Sequence, residues 1–181
     1  GVFCELRRQQ EALAVLALAE RQGFFDTARQ YRNLSDVYRM LEIPYKAGQV
    51  YDSAMSRGIV PRDAATLEYL ADNWIMAREW DRAETTMLAA AERAGGGRLW
   101  QRLGQVYMEQ DRWQDAVSAL TRAIANGVDD SHAAHYFLGV AAFNAGDASR
   151  AQEALRVATR GGRHQAAARQ WLEHVRMESG G

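Results

Sequence analysis

Apolar and small residues recur along this chain at the spacing of amphipathic helices. In residues 99–127, an aromatic–Leu–Gly–aromatic series at i, i+3, i+4 and i+7 is followed by two alanines flanking a leucine and by a glycine. Its members are Trp100, Leu103, Gly104, Tyr107, Ala116, Leu120, Ala123 and Gly127. The spacing predicts two antiparallel helices with one apolar stripe each, in which the small residues allow close approach.

This pattern repeats along the chain. The first alanine of its second half recurs every 33 to 36 residues, as Ala12, Ala47, Ala83, Ala116 and Ala151. A helix pair that recurs in this way buries its apolar face against its neighbours, which predicts an all-α solenoid in one continuous domain. We divide it into half a unit (1–24), four full units (25–60, 61–96, 97–130 and 131–162) and a capping helix with a tail (163–181).

Residues at the helix ends support this division. The predicted helices span 3–22, 26–41, 44–57, 63–78, 80–94, 97–110, 112–126, 131–145, 147–160 and 163–178. Asp26, Asp63 and Asp111 are expected N-caps, the last in a capping box with Gln114, and Pro44 is expected in a first helical turn. The expected left-handed C-caps are Gly23, Gly58, Gly95, Gly127 and Gly161. The run Gly95–Gly97 is expected to be a flexible joint.

Composition narrows the function classes. The chain has 25% charged and 48% hydrophobic residues and a net charge of −1, which is an ordinary globular profile and gives no reason to expect nucleic acid as a partner. The longest apolar run, Ala12 to Ala19, is far shorter than the ~20 residues of a membrane-spanning helix. The chain begins at Gly1 without Met, so we expect either an excised fragment of a longer protein or a processed product.

Side chains with possible chemistry do not combine into a catalytic pattern. His132 and His135 are a possible metal pair at i, i+3 but lack a third clustered ligand. Cys4 has no His or Asp pattern near it, and as the single cysteine it excludes an internal disulfide. We therefore predict no enzyme, no metal and no cofactor. Core packing is the simpler reading of Trp74, Trp100, Tyr107 and Trp113.

The repeat resembles the tetratricopeptide repeat, which has an aromatic residue, Leu-Gly and Tyr in its helix A and small, bulky and small residues in its helix B. The resemblance implies a right-handed α-solenoid, a superhelix whose concave groove, lined by helix A, binds a peptide or helix of a partner protein. Carried over unit by unit, the lining positions are Arg29, Arg32, Asp36, Arg39 and Met40, then Glu68, Asp72 and Ile75, then Arg98, Gln101, Gln105 and Met108, and finally Tyr136, Val140, Phe143 and Asn144.

The implied groove changes character along the chain, from basic through acidic to apolar. Tyr136, Val140 and Phe143 depart from the repeat consensus. Either the capping helix packs on them or they form an apolar pocket for a partner. The Lys–Asn clamp with which some family members hold acidic chaperone tails is absent, and Glu68 and Asp72 would repel such a tail.

A narrower resemblance rests on three stretches: Leu41 to Val50, Ser56 to Val60, and Ala168 to Leu172. They are similar to the tetratricopeptide protein that accompanies TonB, ExbB and ExbD-type systems of Gram-negative bacteria. This implies a periplasmic or envelope-associated adaptor that binds a TonB- or ExbD-type component. The alternatives are a cytoplasmic adaptor or assembly chaperone, and a module that self-associates through the apolar face of its first helix, with Leu13, Leu16 and Ala17.

Overall fold

The structure is a computed structural model that describes residues 2–179, with side chains from Arg7 onward. Its described residues form ten α-helices and no strand, which confirms the predicted all-α class. They are α1 (Val2–Arg21), α2 (Ala28–Met40), α3 (Pro44–Ser56), α4 (Ala64–Met76), α5 (Trp80–Ala94), α6 (Gly97–Glu109), α7 (Trp113–Ala125), α8 (Ser131–Asn144), α9 (Ala148–Ala158) and α10 (Gln165–Ser179). Every predicted helix end lies within about two residues of an observed one, as is usual for helix termini.

The chain forms two compact units, Gly1–Arg93 and Ala94–Gly181. In the first unit α1 packs on α2, α2 on α3, and α3 on α4. In the second unit α6 pairs with α7 and α8 with α9, α7 also packs on α8, and α10 covers α9. Within each unit these helices therefore pack mainly on their neighbours in sequence, which is the packing that a helix-pair repeat requires. Helices α2, α4, α6 and α8 are the helix A members, and α1, α3, α5, α7 and α9 the helix B members.

Small residues hold the helix pairs together. A Cβ added at Gly104 would lie 2.6 Å from Leu120 Cγ, and one added at Gly139 would lie 2.5 Å from Leu155 Cγ. Both leucines are fully buried. In the first unit Ser35 occupies the corresponding position, and its hydroxyl donates a 3.0 Å hydrogen bond to the Ala47 carbonyl of α3. The predicted close approach of helix A to helix B is therefore present in both units.

Two of the three predicted aspartate N-caps are wrong. Asp63 does cap α4, since its carboxylate accepts from the Thr66 N–H at 2.8 Å. Thr27, not Asp26, caps α2, in a capping box with Gln30. Asp111 lies in the turn between α6 and α7 with a φ of 56°, because the chain needs a left-handed residue directly after the helix ends. Gln114 donates instead to the Ala145 carbonyl, so the expected capping box is absent.

The glycines at helix ends follow the prediction with one shift. Gly23, Gly58, Gly95 and Gly127 are left-handed, but after α9 the left-handed residue is Gly162, not Gly161. Gly97 is buried in the second unit, where its N–H donates to the Gly127 carbonyl at 2.8 Å and an added Cβ would collide with the Ala123 carbonyl. Gly97 is thus a packed helical residue, and the flexibility expected of the run Gly95–Gly97 stays a prediction. Pro44 begins α3 as predicted.

Candidate partner-binding faces

The predicted binding positions lie on helix A members in both units. On α2, Arg29, Arg32 and Met40 are exposed, whereas Asp36 and Arg39 are half-buried. On α4, Glu68, Asp72 and Ile75 are half-buried. No predicted position of the first unit is fully buried, so this face is open to a partner.

Tyr69 of α4 contacts three residues of α2, namely Arg32, Asp36 and Arg39, so that the four side chains form one cluster. Its ring lies under the Arg32 guanidinium, 3.4 Å from Cζ to the ring centroid, and Arg39 approaches the same ring at 5.1 Å. Its hydroxyl donates to Asp36 Oδ1 at 2.7 Å, while Arg32 Nε lies 3.3 Å from Asp36 Oδ2. Stacking, ion pair and hydrogen bond together hold Arg32 in one orientation. We call Arg32, Asp36, Arg39 and Tyr69 the arginine–tyrosine cluster.

Buried polar groups support this cluster from below. Ser35 Oγ lies 2.8 Å from the Tyr69 hydroxyl and accepts a 3.3 Å bond from Asn73 Nδ2. Ser35 and Asn73 are fully buried, and Asn73 Oδ1 has no hydrogen-bond partner in the described structure. Burial raises the pKa of Tyr69, so this phenol stays protonated and available as a donor at neutral pH.

The sequence prediction missed Tyr69 and Asn73. Both belong to α4, but Tyr69 contacts α2 of the preceding repeat, so neither stands out within its own unit. The replacement of the usual Gly by Ser35 was visible, and a hydroxyl at a core position requires a partner. That requirement was the available signal for a buried polar network.

The charge on the helix A face of the first unit differs from the change from basic to acidic residues that the sequence suggested. Asp36 pairs with Arg32 and so neutralises part of the basic end. Glu68, Asp72 and Arg98 each interact with other described residues. These groups are therefore already engaged before any partner binds.

In the second unit the α6 positions form a polar face. Arg98 is exposed, and Gln101, Gln105 and Met108 are half-buried. Amide and thioether side chains adapt to many partners and set no strong charge preference. This part of the face suits hydrogen bonds to a partner's backbone or polar side chains.

The α8 positions contact the C-terminal end of the unit. The Tyr136 ring stacks on His164, with centroids 4.6 Å apart and planes within 1°. Phe143 meets Trp171 and His174 of α10 edge to face, at 5.9 and 5.2 Å. Val140 is half-buried, and the exposed Asn144 donates to the Val140 carbonyl at 2.8 Å. Packing by the capping helix, one of the two alternatives for these aromatic residues, is therefore observed.

Within the described residues, the other side chains with possible catalytic or metal-binding chemistry do not come together in one site. No group of three metal-ligating side chains is found there. His135 Nδ1 lies 2.7 Å from the Ser131 carbonyl, and His132 lies against the turn at Gly161 and Gly162. The Cys4 side chain lies outside the described part of the structure. None of the described helices combines the length and apolarity needed to span a bilayer.

Comparisons with known proteins identify the repeat. Residues 102–162 match the sequence model of the tetratricopeptide repeat family. No curated protein sequence matches the chain significantly. A segment of the second unit thus carries tetratricopeptide repeats by sequence as well as by structure.

Solved structures show the same fold over nearly the whole chain. The C-terminal part of a tetratricopeptide repeat protein from Cytophaga hutchinsonii superposes with a TM-score of 0.74 at 15% identity, over 97% of this chain and 68% of that one. MamA from Desulfovibrio magneticus gives 0.69 at 19%, over 86% of each chain. YrrB, described as having an unusual peptide-binding site, gives 0.66 at 18%, over 90% and 82%. The fold is that of the tetratricopeptide repeat structures.

Proposed function

We propose that this protein is a scaffold that binds a segment of a partner protein through its helix A faces. The arginine–tyrosine cluster carries the proposal: its Arg32 is held in place before binding, and a preorganised side chain loses less entropy when a partner docks. Arg29 and Arg39 lie on the same helix and supply further donors. YrrB, with the same fold, is described as peptide-binding, which supports a peptide segment as the ligand.

The test is capture of partners with wild-type protein and with the variant Arg29→Glu/Arg39→Glu. The control Arg7→Glu/Arg8→Glu makes the same change of charge on α1, away from the helix A faces. We expect a partner that binds the wild type and the control but is lost with the first variant. Partners retained equally by all three proteins would place binding elsewhere. Tyr136 and Phe143 are unsuitable for this test because their substitution would disturb the cap.

We further propose, from the three stretches that resemble the TonB-associated subfamily, an envelope adaptor with a periplasmic location. The ligand would then be a soluble segment of a TonB- or ExbD-type component. Titration of purified segments of both components tests this by calorimetry, and we expect binding that Arg29→Glu/Arg39→Glu weakens. Absence of binding to either component, with a cytosolic protein captured instead, would favour the cytoplasmic adaptor or chaperone.

Self-association is a second candidate, favoured by exposed apolar residues in and after α1. The expected contact residues Leu13, Leu16 and Ala17 are half-buried, whereas Val15, Leu18 and Phe24 are 68%, 54% and 67% exposed. A patch of this kind is typical of interaction surfaces. Light scattering over a range of concentrations tests it: a mass that rises with concentration, and stays monomeric in Val15→Asp/Leu18→Asp, would support a homodimer through α1. A constant monomer mass would exclude it.

A further inference from the structure

Arg32 of α2 lies flat on the Tyr69 ring of α4. Its Cζ is 3.4 Å from the ring centroid, close to the contact distance of about 3.5 Å between carbon atoms. At this distance an edge-on guanidinium would press a nitrogen into the ring, so the two planes are parallel. The other arginines that lie over aromatic rings in the described residues are 4.5–5.9 Å from the centroids. Arg32 is therefore the most closely stacked of these arginines.

One face of the Arg32 guanidinium is covered and the other is open. The ring beneath it belongs to Tyr69, which is only 5% exposed, whereas the Arg32 side chain is 46% exposed. The accessible surface of Arg32 therefore lies on the side away from the ring. Tyr51 of α3 packs against the same ring edge to face, with centroids 4.7 Å apart, and keeps it in place. The open face of Arg32 thus rests on a firmly packed support.

The edge of the guanidinium is partly engaged by the protein's own groups. Arg32 Nε donates to Asp36 Oδ2 at 3.3 Å, and the Tyr69 hydroxyl fixes the other oxygen of that carboxylate at 2.7 Å. Burial raises the pKa of Tyr51, and a hydrogen bond from Arg32 acts in the opposite direction, so the Tyr51 hydroxyl is a further partner of this edge. A ligand therefore meets less competition at the open face than at the edge.

The predicted binding positions of the first unit have no net charge that would attract an ionic ligand. Their three arginines and three carboxylates are Arg29, Arg32 and Arg39, and Asp36, Glu68 and Asp72. An acidic group near Arg32 would also meet Asp36, whose side chain is equally accessible, and this repulsion opposes the attraction. Stacking needs no net charge, because the planar, weakly hydrated guanidinium interacts directly with the face of an aromatic ring.

We propose that Arg32 binds an aromatic side chain of the partner segment, which stacks on the open face of its guanidinium. The partner's ring, Arg32 and Tyr69 then form three parallel layers. This inference rests on the proposed function and assigns the class of side chain that the helix A face of the first unit recognises. Tryptophan binds best, since among the aromatic side chains its ring interacts most strongly with a cation.

Nuclear magnetic resonance of the full chain tests the stack directly. The probes are N-acetyltryptophanamide, N-acetylleucinamide and N-acetylglutamate amide, and the signal followed is the Arg32 Nε–H, assigned by its loss in Arg32→Lys. The tryptophan probe should shift this signal upfield until saturation, because ring currents act on a proton that lies over a ring. The other two probes should bind at least about tenfold more weakly, which corresponds to about 1.4 kcal/mol and lies within the range of cation–π contacts.

Arg32→Lys separates stacking from charge. Lysine keeps the positive charge next to Asp36 but lacks the plane on which a ring stacks. This variant should fold normally, as judged by circular dichroism, and bind the tryptophan probe at least about tenfold more weakly, as followed by the backbone amide signals of α2. Arg122→Lys is the matched control, because Arg122 lies over the Trp100 ring at 4.9 Å on α7, outside the helix A positions. It should bind the probe like the wild type.

Three results would overturn the proposal: no saturable shift with the tryptophan probe, glutamate binding as tight as tryptophan binding, or unchanged tryptophan binding by a folded Arg32→Lys. Partner capture distinguishes this failure from failure of the proposed function. A partner lost with Arg29→Glu/Arg39→Glu but retained by Arg32→Lys would leave helix A binding intact and exclude the stack. Capture that does not depend on Arg29 and Arg39, with the tryptophan probe still bound at Arg32, would instead count against the proposed function alone.

Discussion

At the scale of single residues, Gly48 of α3 lies directly against the Trp74 ring of α4. A Cβ added there would lie 2.7 Å from Trp74 Cζ3, and Trp74 is almost completely buried, so its ring has nowhere to move. Counted from the alanine that recurs in each repeat, the other full repeats carry Glu84, Val117 and Gln152 at this position. The structure gives the reason: Trp74 stands where the other units have Tyr38, Tyr107 and Ala142, and the larger ring needs the space of the missing methyl group.

We therefore expect Gly48→Ala to destabilise the protein. Alanine gains about 1 kcal/mol in helix propensity, but overpacking costs about 1–3 kcal/mol and outweighs the gain because the ring is confined. Urea unfolding of the single variants and of Gly48→Ala/Trp74→Tyr measures this. In the Trp74→Tyr background the alanine should be tolerated or stabilising; equal destabilisation in both backgrounds would contradict the contact.

At the scale of elements, the turn from helix A to helix B has one left-handed residue in each of the four full repeats. These residues are Glu42, Arg78, Asp111 and Gly146, with φ between 56° and 84°. Only the last is the residue type that adopts this conformation without steric cost. The turn geometry is thus the same in all four full repeats, although only the last turn has the glycine that would predict it.

Arg78→Gly should stabilise the protein by about 0.5–1 kcal/mol, because a left-handed conformation costs an L residue about 1–2 kcal/mol and glycine recovers most of this after its own entropy loss. Chemical denaturation compares it with Arg78→Ala, which removes the same side chain but keeps the Cβ. A gain in both variants, or in neither, would show that backbone strain is not the cause.

The N-cap of α4, Asp63, makes the stability of the folded protein depend on pH in the acid range. Hydrogen bonds from the Thr66 backbone and side chain lower the pKa of Asp63 in the folded state. The stabilisation is therefore complete above the unfolded pKa and is lost as pH falls below about 4. At pH 7, Asp63→Ala should cost about 1 kcal/mol, as for other N-caps.

Thermal unfolding between pH 2.5 and 7 measures this dependence. Asp63→Asn keeps an oxygen acceptor at the cap without an ionisable group, so its stability relative to wild type should improve as the pH falls. Parallel pH profiles for the wild type and Asp63→Asn would mean that this carboxylate is not linked to folding.

At the scale of the whole molecule, most helix contacts within each unit run between helices that are neighbours in sequence, so a local defect should stay local. Leu120 is fully buried in α7, beneath Gly104 of α6. Leu120→Ala should cost about 2–5 kcal/mol through the cavity that it leaves. Hydrogen exchange read by mass spectrometry should show the loss of protection concentrated in α6, α7 and α8.

The control for this experiment is Leu18→Ala, which removes an exposed leucine of α1 and should leave exchange in α6–α8 unchanged. Loss of protection spread evenly over all helices in Leu120→Ala would indicate one fully cooperative unit instead of nearest-neighbour coupling.

The sequence by itself determined the helix pairs, their boundaries and the core positions of each repeat. These features depend on periodicity and on local chemistry, and both are written in consecutive residues: the Leu-Gly and Ala-Leu-Ala series, Pro44 at a helix start and the glycines at helix ends. They hold for each unit without knowledge of its neighbours.

Only the tertiary structure decided features that join residues of different repeats. Tyr69 reaches back to Ser35 and Asp36 of the previous pair, and Phe143 packs against α10. No periodicity relates the members of these sets, because each contact depends on how one helix pair stacks on the next. The same stacking explains why Gly48 must be a glycine: the ring that excludes a methyl group belongs to the following repeat.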